Sequence, residues 1–188
     1  MLELLYTLVP FLIVGVLFFY TVKAQDAMID QSAEPEVVID VVGQKWSWTF
    51  NYMEEGNPDV GTNAFEVGTI EKVPDLYLPV NKRVRFNLDS ADVIHSFWVP
   101  TFYFKLDVIP GHPNSFDATP NKLGSYDGKC AELCGKDHAR MIFKVHVVTE
   151  EEYEAKVREL AESGNAGTRT VADAIQAVLP TAAPEEHK

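Results

Sequence analysis

Apolar and polar positions divide the chain into stretches of different period. Residues 4–22 contain no charge, and that run is long enough for a helix to cross a hydrocarbon core of ~30 Å. Glu3 precedes it and Lys23 follows it. A secretory signal would have a basic start, a shorter apolar part and a small-residue cleavage site, so residues 1–24 are expected to be a retained, single-pass transmembrane helix. Residues 25–35 read as a polar connector. Short segments rich in β-branched and aromatic residues follow at 37–42, 46–52, 76–80, 84–88 and 142–148. Side chains alternate in Arg83-Val84-Arg85-Phe86-Asn87-Leu88 and in Phe143-Lys144-Val145-His146-Val147, the period of strands with one buried face. Turn formers such as Pro110-Gly111-His112-Pro113-Asn114 separate them. Many short strands with polar turns predict a mainly β fold, a sandwich or barrel, over residues 36–149.

Two stretches depart from this rhythm. Residues 56–75 carry little strand pattern and read as a long surface excursion. At Thr149 the period changes to helical: Thr149 and Glu152 match a capping box, and a helix is expected over 150–163. Residues 164–188, rich in Ala, Gly, Pro and Thr, read as a loose tail with room for a short helix within 171–179.

The formal net charge of −12 argues against a nucleic-acid partner. It is spread along the chain, −7 over residues 24–147 and −5 over 148–188. Such a surface can steer a cationic protein partner, and it also suits an ordinary solvated acidic face. Lys23 alone would place the following domain in the cytoplasm by the positive-inside rule.

The two cysteines of the chain both lie in Cys130-Ala131-Glu132-Leu133-Cys134-Gly135-Lys136-Asp137-His138-Ala139-Arg140-Met141. Two thiolates, an imidazole and a thioether within twelve residues suit copper better than harder divalent ions. His95, in an apolar run upstream, supplies a second imidazole from a loop at the end of another strand. One thiolate, two imidazoles and a methionine would make a mononuclear copper site, for which the second cysteine is one ligand too many. Two bridging thiolates could instead hold two copper ions, one imidazole on each and Met141 as a weak axial donor. A disulfide, a zinc site, and packed core roles for His95 and Met141 remain open on spacing alone. The joint occurrence of all five residues favours the metal.

The strings Asp92-Val93-Ile94-His95-Ser96-Phe97-Trp98-Val99-Pro100, Lys105-Leu106-Asp107-Val108-Ile109-Pro110-Gly111, Gly43-Gln44-Lys45-Trp46-Ser47-Trp48 and the cysteine loop resemble subunit II of haem–copper cytochrome c oxidases. The resemblance runs from the membrane helix to about residue 157. It implies a cupredoxin-like β-sandwich with a binuclear copper A centre and no haem in this chain. By that resemblance His95, Cys130, Cys134, His138 and Met141 are copper ligands. Glu132 would ligate copper through its backbone carbonyl while its carboxylate reaches a magnesium ion shared with subunit I. Trp46 would be the aromatic at which electrons arrive from a donor haem, and Asp92 one of the acids that dock the donor or lead protons and water away. Glu3, seven residues before Pro10, resembles an acid at the mouth of a proton pathway of subunit I.

The implied partners are oxidase subunits I and III, the membrane, and a c-type cytochrome, free or within a bc complex. The implied location is the cell membrane, with the copper domain on the extracytoplasmic side, opposite to the Lys23 signal. Family members carry two membrane helices in a hairpin; the single helix here resembles the second. The 56–75 insertion and the acidic tail from Gly164 are less typical, with comparable decorations in actinobacterial-type oxidases. The expectation is an electron-accepting subunit of a proton-pumping oxidase, with no independent catalysis by this chain. A membrane-tethered mononuclear copper carrier or copper-handling protein is the alternative, and a disulfide-stapled assembly module a third reading.

Overall fold

The computed structural model describes residues 1–56, 58 and 60–178 and separates two units between Glu34 and Pro35. The first unit is helix α1 (Leu2–Ile29). Its most apolar 18 residues have a mean hydropathy of 2.3, and it is long and apolar enough to cross a membrane. None of its side chains is buried by the rest of the chain, and a helix apolar all round needs such cover from a core or from lipid. The helix runs to Ile29, beyond the boundary expected at residue 24, because no Gly or Pro interrupts residues 25–29. It stops at Asp30, whose backbone is extended and whose carboxylate accepts the Ser32 amide at 3.0 Å.

Among its described residues the second unit holds ten strands: β1 (Val37–Gln44), β2 (Ser47–Met53), β3 (Ala64–Val67), β4 (Asp75–Pro79), β5 (Val84–Ser90), β6 (His95–Val99), β7 (Phe104–Val108), β8 (Asn114–Ala118), β9 (Gly124–Cys130) and β10 (Ile142–Val148). One sheet has the order β3-β2-β1-β5-β8 and the other β4-β10-β9-β6-β7. The β1–β5 and β4–β10 pairs are parallel; the remaining neighbours are antiparallel. This is the two-sheet, mainly β architecture that the alternating segments predict.

Alternation directs Ile39, Val41, Trp48, Phe50, Phe86 and Leu88 of one sheet, and Phe97, Phe143 and Val145 of the other, into a shared core. Trp48 meets Phe97 and Phe143 edge-on, with ring centroids 5.8 and 5.6 Å apart, an arrangement that suits aromatic quadrupoles. Gly128 on β9 leaves room for this cluster, since a Cβ there would enter the Phe143 ring.

Two expectations are corrected. The 56–75 stretch is not simply a surface excursion: Ala64, Phe65 and Glu66 of β3 are buried, and β3 pairs with β2. Four residues are too few to show a period. Asn57 and Asp59 lie outside the described residues. The segment after Gly164 is not loose where it is described. Ala166 bridges to Ala64 and the Gly167 amide donates to the Asn63 carbonyl at 2.9 Å; the short helix allowed for within 171–179 is present as α3 (Val171–Val178), after α2 (Glu150–Leu160). The tail's anchors lie about a hundred residues away in sequence, so local composition could not reveal them. The tail reading for residues 179–188 falls outside the described residues. Helix α2 carries the expected capping box: Thr149 Oγ1 accepts the Glu152 amide and the Glu152 carboxylate accepts the Thr149 amide.

Candidate metal centre

Three chain segments meet at one end of the sandwich. His95 is the first residue of β6, placed within a strand and not on a loop. It is fully buried, and its ring presses so closely on Gly43 that a Cβ there would lie 3.0 Å from it. Cys130 ends β9. The chain then loops through Cys134 and a short 3-10 turn, His138–Arg140, to Met141, immediately before β10. The loop is closed at its base, where the Cys130 amide donates to the Met141 carbonyl at 2.9 Å. Inside it, the amides of His138 and Met141 donate to the carbonyls of Gly135 and His138, each at 3.2 Å. Gly135 sits at φ +123°, a conformation glycine adopts without strain.

This framework gathers the donor atoms. Cys130 Sγ lies 3.8 Å from His95 Nδ1 and 3.9 Å from Cys134 Sγ. Cys134 Sγ lies 3.5 Å from His138 Nδ1 and 3.6 Å from Met141 Sδ. The Glu132 carbonyl oxygen is 3.2 Å from Cys130 Sγ. Each thiol therefore has its own imidazole, and each has one further donor, a carbonyl for Cys130 and a thioether for Cys134. Both thiols are free. All of these side chains except those of His138, which is half-buried, and Glu132, which is exposed, are shielded from solvent.

Electrostatics match the chemistry of a cation cradle. Burial pushes the Cys130 thiol up, but hydrogen bonds from His95 and from the backbone at Glu132 and Ser96 outweigh it and bring it well below the usual thiol range. Burial and the neighbouring Cys130 charge push the Cys134 thiol strongly up. Two buried thiols this close oppose each other's ionisation, and a cation bound between them would offset that repulsion. Burial opposes the charged form of His95, yet the Asp92 carboxylate and the Cys130 thiol raise it overall. These buried soft donors fit copper. A single tetrahedral ion with metal–donor distances of about 2.0–2.3 Å would draw all four Cys and His donors within about 4 Å of each other. Here the mutually close donors are those of His95, Cys130 and Cys134, and His138 reaches them beside Cys134.

Trp46 lies in the two-residue turn between β1 and β2, half-buried, and its Nε1 donates to the Cys134 carbonyl at 3.1 Å. Trp48 is the core partner of that pair, which the alternation alone left undecided. Asp92 accepts the amides of Lys45 and Val93, each at 2.7 Å, and meets His95 Nε2 at 2.8 Å. The i, i+3 spacing of Asp92 and His95 is the signal that could have revealed this contact. Leu133, 78% exposed within the ligand loop, is an outward apolar group that the sequence reading passed over. Glu3 belongs to the helical unit, in the first turn of α1 and 3.3 Å from the Met1 amine.

Residues 37–148 match the family described as cytochrome c oxidase subunit II, periplasmic domain. The chain is 46% identical over 196 aligned positions to a probable cytochrome c oxidase subunit 2 of Streptomyces avermitilis, covering 88% of this chain and 61% of that protein. It is 34% identical to cytochrome c oxidase subunit 2 of Mycobacterium tuberculosis, covering 94% and 61%. The chain thus spans about six-tenths of the length of these relatives. The crystal structure of the periplasmic domain of subunit II of Bradyrhizobium japonicum cytochrome oxidase superposes with a TM-score of 0.60 at 33% identity, covering 70% of this chain and 97% of that one.

Proposed function

This chain belongs to the cytochrome c oxidase subunit II family, and on that premise we propose that its sandwich holds a two-copper centre that receives electrons from a c-type cytochrome and passes them to haem in subunit I. The observation that carries this reading is the pairing of each thiol with a separate imidazole, at 3.8 and 3.5 Å. Two thiols between two imidazoles suit two bridged ions better than one.

When bound, such a copper pair would supply a one-electron redox couple, held by His95, Cys130, Cys134, His138 and Met141. The chain's own residues fix the geometry around it. Cys130 and Cys134 are set by β9 and the closed loop, His95 by β6 and Asp92, and Met141 by the start of β10. Ligands on a packed sandwich move little when charge changes, and a buried site limits solvent rearrangement. A carboxylate on the second nitrogen of a ligating histidine fixes its tautomer and raises its basicity, the role that Asp92 takes through His95.

Trp46 offers an apolar π-surface joined by one hydrogen bond to the backbone of Cys134, which suits it to receive the electron from the donor. The exposed Glu132 carboxylate is free to reach a magnesium ion shared with subunit I, a hard cation for which a carboxylate is a fitting ligand. Helix α1 would anchor the chain in the cell membrane beside subunits I and III, with the copper domain on the extracytoplasmic side. Glu3 would lie near the inner surface, where it can pass protons toward subunit I. Oxygen reduction and proton pumping belong to subunit I, and the copper domain itself makes no bonds.

Rapid mixing of the purified oxidase with reduced c-type cytochrome tests this. Trp46→Phe should slow the first electron transfer by about tenfold or more, roughly 1.4 kcal/mol of barrier, while the copper absorption stays intact. Unchanged donor oxidation kinetics would reject Trp46 as the receiving group.

A further inference from the structure

The alternation that turns Ile39 and Val41 of β1 into the core brings Gly43 to the same face next. A glycine inside a strand weakens it and often marks a close approach. This one is not required by its backbone, because its φ lies outside the left-handed region. What it leaves is space. Gly43 pairs with Trp48 on one side and Ser90 on the other, and the His95 imidazole, reaching across from β6 of the facing sheet, fills the place a side chain would take. A Cβ on Gly43 would lie 3.0 Å from His95 Cδ2 and 3.3 Å from Cγ, and all three of its nearest neighbours would be His95 atoms. Trp48 flanks the same ring, with centroids 6.1 Å apart and planes at 60°. The end of β1 also holds the segment that leads into His95. The Gly43 carbonyl accepts the Ala91 amide at 2.9 Å, and the Lys45 amide donates to Asp92, which in turn meets His95 Nε2.

We propose that Gly43 is a positioning residue for the metal centre: its bare Cα is the seat of the His95 ring and sets the direction in which Nδ1 faces Cys130. This rests on the reading of His95 as a copper ligand. Asp92 fixes the imidazole at Nε2, but a single hydrogen bond leaves the ring free to pivot about it. Contact with Gly43 along the Cγ–Cδ2 edge removes that freedom on one side, and Trp48 narrows the room that is left. Nδ1 lies 3.8 Å from Cys130 Sγ, so any tilt of the ring moves it within the donor cluster. A methyl group on Gly43 would make the ring give by a few tenths of an ångström. Ligands must be held within about 0.5 Å of their working geometry, so a shift of that size acts on the metal.

Gly43→Ala and His95→Ala, alone and combined, are to be made in the detergent-solubilised full chain and unfolded in denaturant without copper. With His95 in place, the added methyl should lower the denaturation midpoint. Where His95 is alanine the loss should vanish or reverse, because alanine in an open position restricts the unfolded chain. A double-mutant cycle isolates such coupling between residues in contact. An equal loss in both backgrounds overturns the proposal, and so does a methyl that costs nothing beside His95. Copper binding then tests the positioning role. In Gly43→Ala the affinity, read by competition with a chelator, should fall by about tenfold or more, with a changed electron paramagnetic resonance splitting. An affinity within about twofold of wild type and an unchanged splitting overturn that role. The two claims fail differently. A wild-type chain that takes up no copper removes the metal centre itself, whereas a normal wild-type signal that Gly43→Ala leaves unaltered removes only the seat.

Discussion

His95 is held at both ring nitrogens, by the Asp92 carboxylate at 2.8 Å on Nε2 and by Cys130 Sγ at 3.8 Å on Nδ1. Asp92 also ties down the turn that carries Trp46 through the Lys45 amide, so one carboxylate positions both the His95 imidazole and the Trp46 turn. Asp92→Asn should weaken copper binding by about 10–100-fold, read by competition with a chelator; an unchanged affinity would deny Asp92 its positioning role. At this scale the clustering of the His95, Cys130, Cys134, His138 and Met141 side chains was legible in the sequence. Four of the five fall within one loop, and the fifth, His95, lies in an apolar run. The Asp92 contact was not read, because an acid three residues before a histidine looks like any strand-end surface acid. The exposed and buried members of the Trp46 and Trp48 pair were not separable either, since that depends on where the β1–β2 turn falls.

At the scale of elements, the period-2 segments announced β1, β2, β4, β5 and β10, and the Thr149–Glu152 box announced α2. Thr149→Ala should cost about 1 kcal/mol, measured by chemical denaturation of the detergent-solubilised chain; no loss would mean that the cap is unimportant to the docked helix. Strands β6 to β9 were less visible. β9 reads Gly-Ser-Tyr-Asp-Gly-Lys-Cys, a glycine-rich and polar sequence, and it is a strand because Gly128 admits the Phe143 ring between the sheets. Gly128→Ala should therefore destabilise the sandwich by about 1–3 kcal/mol through overpacking, against near-neutrality for Gly15→Ala on α1, where an added Cβ meets nothing. Equal effects at the two sites, in the same denaturation assay, would contradict this account of the core. β3 escaped the sequence reading because its four residues are too few to show a period, and the C-terminal segment after Gly164 because its anchor is distant in sequence. That segment is held by Asn51, 118 residues before Arg169.

For the whole molecule, the sandwich and its preceding apolar helix follow from hydrophobic patterning, whereas the strand order does not. The parallel β1–β5 and β4–β10 pairs join segments far apart in the chain, and no local period encodes them. The acidic surface, of net charge −12, acts at this scale too. If it steers a cationic donor, turnover with the cytochrome should fall as salt rises above about 0.1 M, where charges about 10 Å apart are screened; a flat response would point to apolar docking or a tethered donor. The central claim is that the His95, Cys130, Cys134, His138 and Met141 framework holds two metal ions as one redox unit. Copper analysis with electron paramagnetic resonance on the purified protein tests it most directly. Two copper ions per chain and one unpaired electron split by both nuclei are expected, with that signal lost in Cys130→Ser. A single copper with ordinary one-nucleus splitting, or a two-nucleus signal that survives Cys130→Ser, would contradict it.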